Sequence, residues 1–257
     1  MLIRALRSAA GLWRSVRVYR LDRAHAGAMD RLYSQFVRPG DLVFDIGAHV
    51  GDRAASFRRL GARVVALEPQ PGPARVIRLL SGFDPNLVVV QAACGADEGT
   101  LTLRLNSSNP TVSTASSAFV SAAAGAAGWE GQTWDRTVTV PVTTLDALIA
   151  RHGAPTFMKI DVEGFEDAVL AGLTRPLPAL SFEFTTIQRD VAHRAIERLE
   201  RLGHYAFNLA LGESQALSLD EWVPGRRMGA ILDALPHEAN SGDVYALLQG
   251  DPLETNA

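Results

Sequence analysis

Residues 43–52 read VFDIGAHVGD, and residues 63–69 read RVVALEP. Each stretch contains a short apolar run, and the first run stops at Gly47, where the chain can turn. Residues 54–60 lie between the two runs and can form a helix. The order strand, glycine turn, helix, strand predicts a βαβ unit of a doubly wound parallel sheet, in which nucleotide-like ligands bind at the carboxyl ends of the strands.

The spacing of the glycines indicates which ligand binds there. Dinucleotide-binding turns read G-x-G-x-x-G and hold a pyrophosphate, whereas this turn has Asp45, Gly47 and Gly51 at its marked positions. A carboxylate suits a cation, and S-adenosylmethionine carries a sulfonium and an ammonium group but no phosphate. We expect Asp45 and the backbone near Gly47 to bind its amino acid end, and Glu68 to accept both ribose hydroxyls. Alternatively, Asp45 only caps the following helix.

S-adenosylmethionine is therefore the predicted cofactor. A third apolar strand, Leu87–Val90, ends close to Ala93 and leads to the same edge of the sheet. The predicted cofactor-binding residues are Asp45, Gly47, Ala48, His49, Gly51, Glu68, Pro69 and Ala93.

A second charged motif occurs where an apolar strand meets a turn. Residues 158–166 read MKIDVEGFE and contain the only lysine of the chain. Because an unpaired buried charge is unfavourable, Lys159, Asp161 and Glu163 need partners, a ligand or a reaction. The alternative is a salt-bridged network that only terminates the strand.

Methyl transfer to an alcohol needs an oxygen held in line with the methyl group and a way to lose its proton. We predict Asp161 and Glu163 as base and substrate anchor, and Lys159 as the group that holds their charge or polarises the hydroxyl. Glu183, on the next strand, completes an acidic wall. With Asp161 it could bind a divalent cation, but two carboxylates are not a coordination sphere and no metal is predicted. His49 is an alternative base.

Several segments together resemble the FkbM-type S-adenosylmethionine-dependent methyltransferases. The segments are DIGAHVG at 45–51, LEPQP at 67–71, VPVTTLD at 140–146, KIDVEGFE at 159–166 and FE at 182–183. The combination of TLD at 144–146 with KIDVEG at 159–164 is the feature that is characteristic of the family. The resemblance implies a Rossmann-like, mostly parallel seven-stranded sheet and methylation of a hydroxyl on a sugar, a glycan or a polyketide. His49 stands where Asn is common, so no family role is transferred to it.

The remaining pattern completes an α/β domain. It predicts strands at 100–105, 137–142, 180–185, 205–209 and 244–248, and helices at 146–150, capped by Thr144, at 165–171 and at 193–202. Residues 106–131, rich in Ser, Thr, Ala and Gly, predict a mobile lid, a substrate loop or a disordered insertion. Residues 211–241 are expected to be irregular, and both spans should shape the acceptor pocket.

Composition agrees with one soluble, cytoplasmic enzyme domain at residues 37–257. A net charge of −3 without a basic groove argues against nucleic acid, and one cysteine excludes an intramolecular disulfide. Residues 1–36 predict an amphipathic helical extension that packs on the domain or a neighbouring subunit, or else contacts a membrane or a partner. Its arginine face is Arg4, Arg7, Arg14 and Arg17, and its apolar face is Leu2, Leu6, Trp13 and Val16.

Two other functional classes stay open at the level of sequence. An NAD-dependent oxidoreductase could use the same βαβ unit, although the glycine spacing differs and Pro155 replaces the tyrosine of a Tyr-x-x-x-Lys pair. A non-catalytic protein could bind a nucleoside and recruit a partner. The acceptor and the oligomeric state cannot be read from the sequence.

Overall fold

The computed structural model describes residues 10–82 and 84–250. Its strands are β1 (Leu42–Ile46), β2 (Arg63–Leu67), β3 (Leu87–Val90), β4 (Ala93–Cys94), β5 (Gly99–Leu105), β6 (Arg136–Thr143), β7 (Phe157–Ile160), β8 (Ala179–Thr185), β9 (Tyr205–Leu211) and β10 (Ser241–Leu248). Its α-helices with described bounds are α1 (Arg23–Tyr33), α2 (Asp52–Arg59), α3 (Pro71–Ser81), α4 (Ser117–Ala123), α5 (Leu145–His152), α6 (Glu166–Ala171), α7 (Arg189–Leu202) and α8 (Gly225–Ala234).

Seven strands form the main sheet in the order β3-β2-β1-β7-β8-β10-β9. All neighbours are parallel except that β10 runs antiparallel to both β8 and β9. The predicted doubly wound, mostly parallel seven-stranded sheet is thus confirmed. The other three strands form a small sheet in the order β4-β6-β5, in which β5 is an edge strand as its alternating pattern predicts.

Helices cover both faces of the main sheet because successive strand residues point to opposite sides. In β1, Leu42, Phe44 and Ile46 join a core that includes residues of α5, α6, α7 and α8. Val43 joins the opposite core, which includes residues of α1, α2 and α3. The predicted cap of α5 is also confirmed, since Thr144 Oγ1 accepts a hydrogen bond of 3.1 Å from the N–H of Ala147.

The segment before β1 packs on the domain. Residues 10–15 are helical, Val16–Arg20 form a π-helical turn, and α1 buries Met29, Leu32 and Tyr33 against the sheet and α2. Arg4, Arg7, Leu2 and Leu6 lie outside the described residues. The boundary at residue 37 and any membrane or partner contact stay predictions. None of the described helices is long and apolar enough to cross a membrane.

Two spans are more regular than predicted. Residues 106–131 are not a disordered insertion, because they contain α4, and Phe119 packs edge-on against Trp129 with ring centroids 5.1 Å apart. The expected irregular span 211–241 contains α8, which buries Met228 and Leu232. In the first span, Phe119 and Ala123 pack with Val112 and Trp129, and in the second, Met228 and Leu232 join the core of the main sheet.

Candidate active site

A cavity of about 340 Å³ opens at the carboxyl ends of β1, β2 and β7. One end of it is lined by the turn after β1 together with Glu68, and we call this the glycine-turn end. The other end is lined by Lys159, Asp161, Glu163 and Glu183, and with Asp243, which contacts Lys159, we call this the acidic end. The volume lies at the lower end of the range of small-molecule sites, so the cavity can hold a small-molecule ligand.

Gly47 brings the two ends together. Its φ is +86°, and a Cβ added there would lie 1.8 Å from the carbonyl oxygen of Asp161. Only glycine permits that approach, so the turn after β1 lies directly against the turn after β7. The two motifs that the sequence marks as chemical therefore share one cavity.

Glu68 is fixed by backbone donors. The N–H groups of His49 and Gln70 donate to its two carboxylate oxygens over 2.9 and 2.7 Å, and its side chain is buried. Burial raises its pKa to about 8 although these two hydrogen bonds act in the opposite direction. Each oxygen retains one lone pair, so the carboxylate can still accept a hydroxyl from a ligand in the cavity.

Asp45 is buried without a hydrogen-bond donor. It is 2% exposed, and its Oδ2 has no partner among the described residues. Burial, with a smaller contribution from Asp52, raises its pKa to about 7. It does not cap α2, whose N-cap is Gly51 and has no side-chain capping bond. A buried acceptor of this kind suits a cationic or N–H-bearing ligand group.

His49 contributes its backbone more clearly than its ring. It has a φ of +46°, which directs its N–H to Glu68. Its Nε2 is buried with no partner in the described chain, and the Tyr19 ring lies edge-on at 5.9 Å. Burial lowers the pKa of the imidazole to about 4, so the ring is neutral at pH 7.

The other predicted cofactor residues divide into two groups. Ala48, Pro69 and Ala93 line the cavity. Gly51 does not; it begins α2 with a φ of +76°, and its carbonyl accepts a 2.7 Å hydrogen bond from Arg20. Its role in the structure is to turn the chain into the helix.

Lys159 is held between two carboxylates. Its Nζ donates to Asp161 Oδ2 over 3.1 Å, to Asp243 Oδ1 over 2.8 Å and to the carbonyl of Ile160 over 3.3 Å. Burial alone would lower its pKa, but Asp161 and Asp243 raise it well above the usual value. With its three protons engaged, Lys159 holds charge in this structure and has no free donor to polarise a hydroxyl.

The pKa values of the remaining acidic groups shift in opposite directions. Burial would raise the pKa of Asp161, but Lys159 and Arg53 outweigh it and keep that pKa below the usual value. Burial raises the pKa values of Glu163 and Glu183, and the Asp161 charge adds to both shifts. One carboxylate oxygen from each of Asp161, Glu163 and Glu183 lies within 4.8 Å of the others. All four predicted catalytic residues thus meet in one place.

Several residues of the site were not predicted from the sequence. Asp243 lies opposite Glu183 in the antiparallel register of β8 and β10, one residue before the predicted start of the last strand. Tyr19, Arg53 and Trp129 also line the cavity. No local pattern marks these residues, and Ser241, Gly242 and Asp243 are residue types typical of a turn rather than of a strand.

A family model described as "Methyltransferase FkbM domain" matches residues 45–217. No curated protein matches the chain.

Several solved methyltransferase structures are similar to this chain at low sequence identity. Precorrin-6y C5,15-methyltransferase from Geobacter metallireducens is 16% identical, with 88% of this chain and 86% of that chain covered and a TM-score of 0.45. A TehB-like SAM-dependent methyltransferase from Corynebacterium glutamicum is 12% identical, with coverage of 92% and 94% and a TM-score of 0.46. An O-methyltransferase from Bacillus cereus in complex with SAH is 11% identical, with coverage of 96% and 90% and a TM-score of 0.48.

Proposed function

This chain belongs to the FkbM methyltransferase family, and from that premise we propose that it methylates a hydroxyl oxygen of a sugar, a glycan or a polyketide-type metabolite. S-adenosylmethionine is the cofactor, and when bound it supplies an electrophilic methyl group. Family membership decides against the NAD-dependent alternative. The alternative that experiments must exclude is that the protein binds a nucleoside but catalyses no reaction.

The glycine-turn end fits this cofactor. The carboxylate of Asp45 has a buried oxygen without a donor from the described chain, as a site for an ammonium or sulfonium group requires. Glu68 is oriented by two backbone N–H groups, and its free lone pairs suit the vicinal hydroxyls of a ribose. These two carboxylates would hold the cofactor, with Ala48, Pro69 and Ala93 in contact beside them.

The ionised Asp161 at the acidic end carries the proposal of an oxygen acceptor. As a hydroxyl oxygen forms its new bond to carbon, its proton becomes strongly acidic, so a carboxylate of low pKa can accept it. Asp161 is such a carboxylate, and its side chain is 30% exposed. Lys159 holds its charge, while Glu163 and Glu183 would anchor the acceptor. A sugar or polyol offers the neighbouring hydroxyls that such an acidic wall can bind.

Calorimetric titration with S-adenosylhomocysteine tests the cofactor half of this proposal. We expect micromolar binding to the parent protein and no binding of NAD. Replacing Glu68 by Ala removes both ribose acceptors, so we expect the affinity to fall by at least tenfold. The matched control is Glu98→Ala, which removes an exposed carboxylate outside the cavity and should leave the titration unchanged.

Transfer of a labelled methyl group to a panel of monosaccharides, oligosaccharides and polyketide alcohols tests the reaction. We expect Asp161→Asn to lower turnover by about 10²-fold while cofactor affinity is kept, since a general base acts on the acceptor only. Asp97→Asn, at an exposed position, is the control. Equal turnover in Asp161→Asn would remove Asp161 from the base role. Tight binding of S-adenosylhomocysteine without transfer to any alcohol would favour the non-catalytic class.

A further inference from the structure

Three carboxylates at the acidic end converge from two neighbouring strands. Asp161 and Glu163 follow β7, Glu183 lies within β8, and one oxygen from each lies within 4.8 Å of the other two. Nitrogen and sulfur ligands are absent from this group, and oxygen-only sites select hard cations such as Mg²⁺ and Mn²⁺. Three ligands still leave positions for water and for hydroxyls of an acceptor.

Two of these carboxylates have no cation of their own. Glu163 is 6% exposed, yet its carboxylate receives no hydrogen bond from residues 10–82 or 84–250. Glu183 has a buried Oε2 that is likewise unpartnered within the described chain. Lys159 cannot serve them, because its three protons go to Asp161, Asp243 and the carbonyl of Ile160. Acceptors in this state are satisfied by protons, by water in the cavity or by a cation, and a cation also offsets their charge.

The turn after β7 directs Glu163 to this position. Glu163 has a φ of +57°, and its carbonyl accepts a 2.6 Å hydrogen bond from the buried Thr114 hydroxyl. The neighbouring Gly164 has a φ of +81°, and a Cβ there would lie 2.3 Å from Gln188 Oε1. Glu166 Oε1 accepts from the N–H groups of Val162 and Gly164. The carboxylate of Glu163 is therefore carried by a firmly held turn.

We propose that Asp161, Glu163 and Glu183 bind one divalent cation of the Mg²⁺ or Mn²⁺ class. The cation would coordinate the acceptor hydroxyl and make its proton easier to remove, and that proton would pass to the Asp161 oxygen that does not bind the cation. That role rests on the proposed function, whereas the binding of the cation does not. Lys159 and Arg53 are the positive groups nearby and oppose binding. The competing state is a proton shared between Asp161 and Glu183.

Electron paramagnetic resonance of Mn²⁺ titrated into the chelator-treated full chain tests this site directly. We expect one saturable site per chain, displaced by Mg²⁺. Glu163→Gln and Glu183→Gln should each weaken binding by at least about tenfold, since each removes a charged ligand. The matched control is Glu213→Gln, which removes a charge that also lines the cavity but lies outside the three carboxylates. It should bind Mn²⁺ like the parent.

The affinity for Mn²⁺ should also increase with pH, because the cation must displace protons from Glu163 and Glu183. Thermal unfolding without metal verifies that each variant is folded. The proposal would be overturned if the parent protein showed no saturable binding of Mn²⁺. It would also be overturned if Glu213→Gln weakened Mn²⁺ binding as much as Glu163→Gln and Glu183→Gln do. Either result would favour the shared proton. If S-adenosylhomocysteine binds and Mn²⁺ does not, only the cation site is wrong. If Mn²⁺ binds and no alcohol is methylated, only the proposed function is wrong.

Discussion

The two ends of the cavity hold their carboxylates in different ways. At the glycine-turn end, Glu68 is held by backbone N–H groups that are near it in the fold, and Asp45 has no donor in the described chain. At the acidic end, Asp161 is held by a buried lysine whose second partner, Asp243, lies 84 residues away from it. The first end depends on the course of the backbone, whereas the second depends on side chains that only the complete sheet brings together.

We expect the largest loss of stability from a change that affects only the acidic end. Lys159→Met keeps the volume but leaves Asp161 and Asp243 without their counter-charge, so we expect about 4 kcal/mol of destabilisation in urea unfolding at pH 7.5. The matched change at the other end, Glu68→Gln, removes no ion pair and should cost much less. A loss below about 1 kcal/mol for Lys159→Met would show that the lysine is not needed to hold the acidic end.

Gly47→Ala should break the contact between the two ends. The new methyl would collide with the carbonyl of Asp161 at a φ of +86°, so we expect about 3 kcal/mol of destabilisation. Gly40→Ala is the control, because Gly40 has a φ of +90° and no atom within 4 Å of an added Cβ. It should lose only about 1 kcal/mol from backbone strain. If Gly47→Ala and Gly40→Ala lower the free energy of unfolding in urea equally, the close approach of Gly47 to Asp161 does not contribute to the loss.

At Asp45 we expect a smaller change, and here the substitution should increase the stability. Its folded pKa of about 7 exceeds that of an unfolded aspartate, so the folded state retains the proton and loses stability as pH rises from about 4 to 7. Three pKa units correspond to about 4 kcal/mol at most, and relaxation of the structure around the charge should leave about half of that. Asn cannot ionise, so Asp45→Asn should be about 2 kcal/mol more stable than the parent at pH 8 and no more stable at pH 4. The same variant should bind S-adenosylhomocysteine more weakly. Urea unfolding at both pH values measures the difference, and a gain that is independent of pH would contradict this explanation.

We expect the smallest effect on stability from a change at the turn that carries Glu163. Thr114→Val is nearly isosteric but removes the hydroxyl that donates to the Glu163 carbonyl and accepts from the N–H of Ser116. We expect about 1 kcal/mol of destabilisation and a lowered turnover, with S-adenosylhomocysteine affinity unchanged. Thr143→Val, on β6 and without a side-chain bond in the described structure, is the control. A change in cofactor affinity would mean that the two ends are coupled through this turn.

The sequence predicted the glycine-turn end best because its geometry is local. The βαβ pattern places Asp45 and Glu68 at the carboxyl ends of adjacent parallel strands, and the structure has both at that edge. Gly51 lies at the N-cap of α2 with a φ of +76° and does not line the cavity, and its cofactor contact stays a prediction. A glycine needed for φ and one needed for a ligand look alike in sequence. The pattern also could not show that Asp45 Oδ2 would have no donor among residues 10–82 and 84–250.

The acidic end could be predicted only in part. Lys159, Asp161 and Glu163 are neighbours in sequence, and Glu183 follows from the order of the strands. Asp243 depends on the antiparallel strand β10, whose partners no local signal identifies. Helix α8 was missed for a related reason, because Gly225 and Gly229 weaken its helical propensity and packing of Met228 and Leu232 must compensate.

The position of β10 sets an order of assembly during synthesis. It fills the gap between β8 and β9, which both precede it in the chain, so the sheet cannot close until the ribosome has made residues 241–248. Before that moment pairing is possible among strands β1, β2, β3, β7 and β8. Lys159 then still lacks its second counter-ion, Asp243. The nascent enzyme therefore acquires its acidic end last, and an unfinished chain leaves the edges of β8 and β9 open to pairing with other chains.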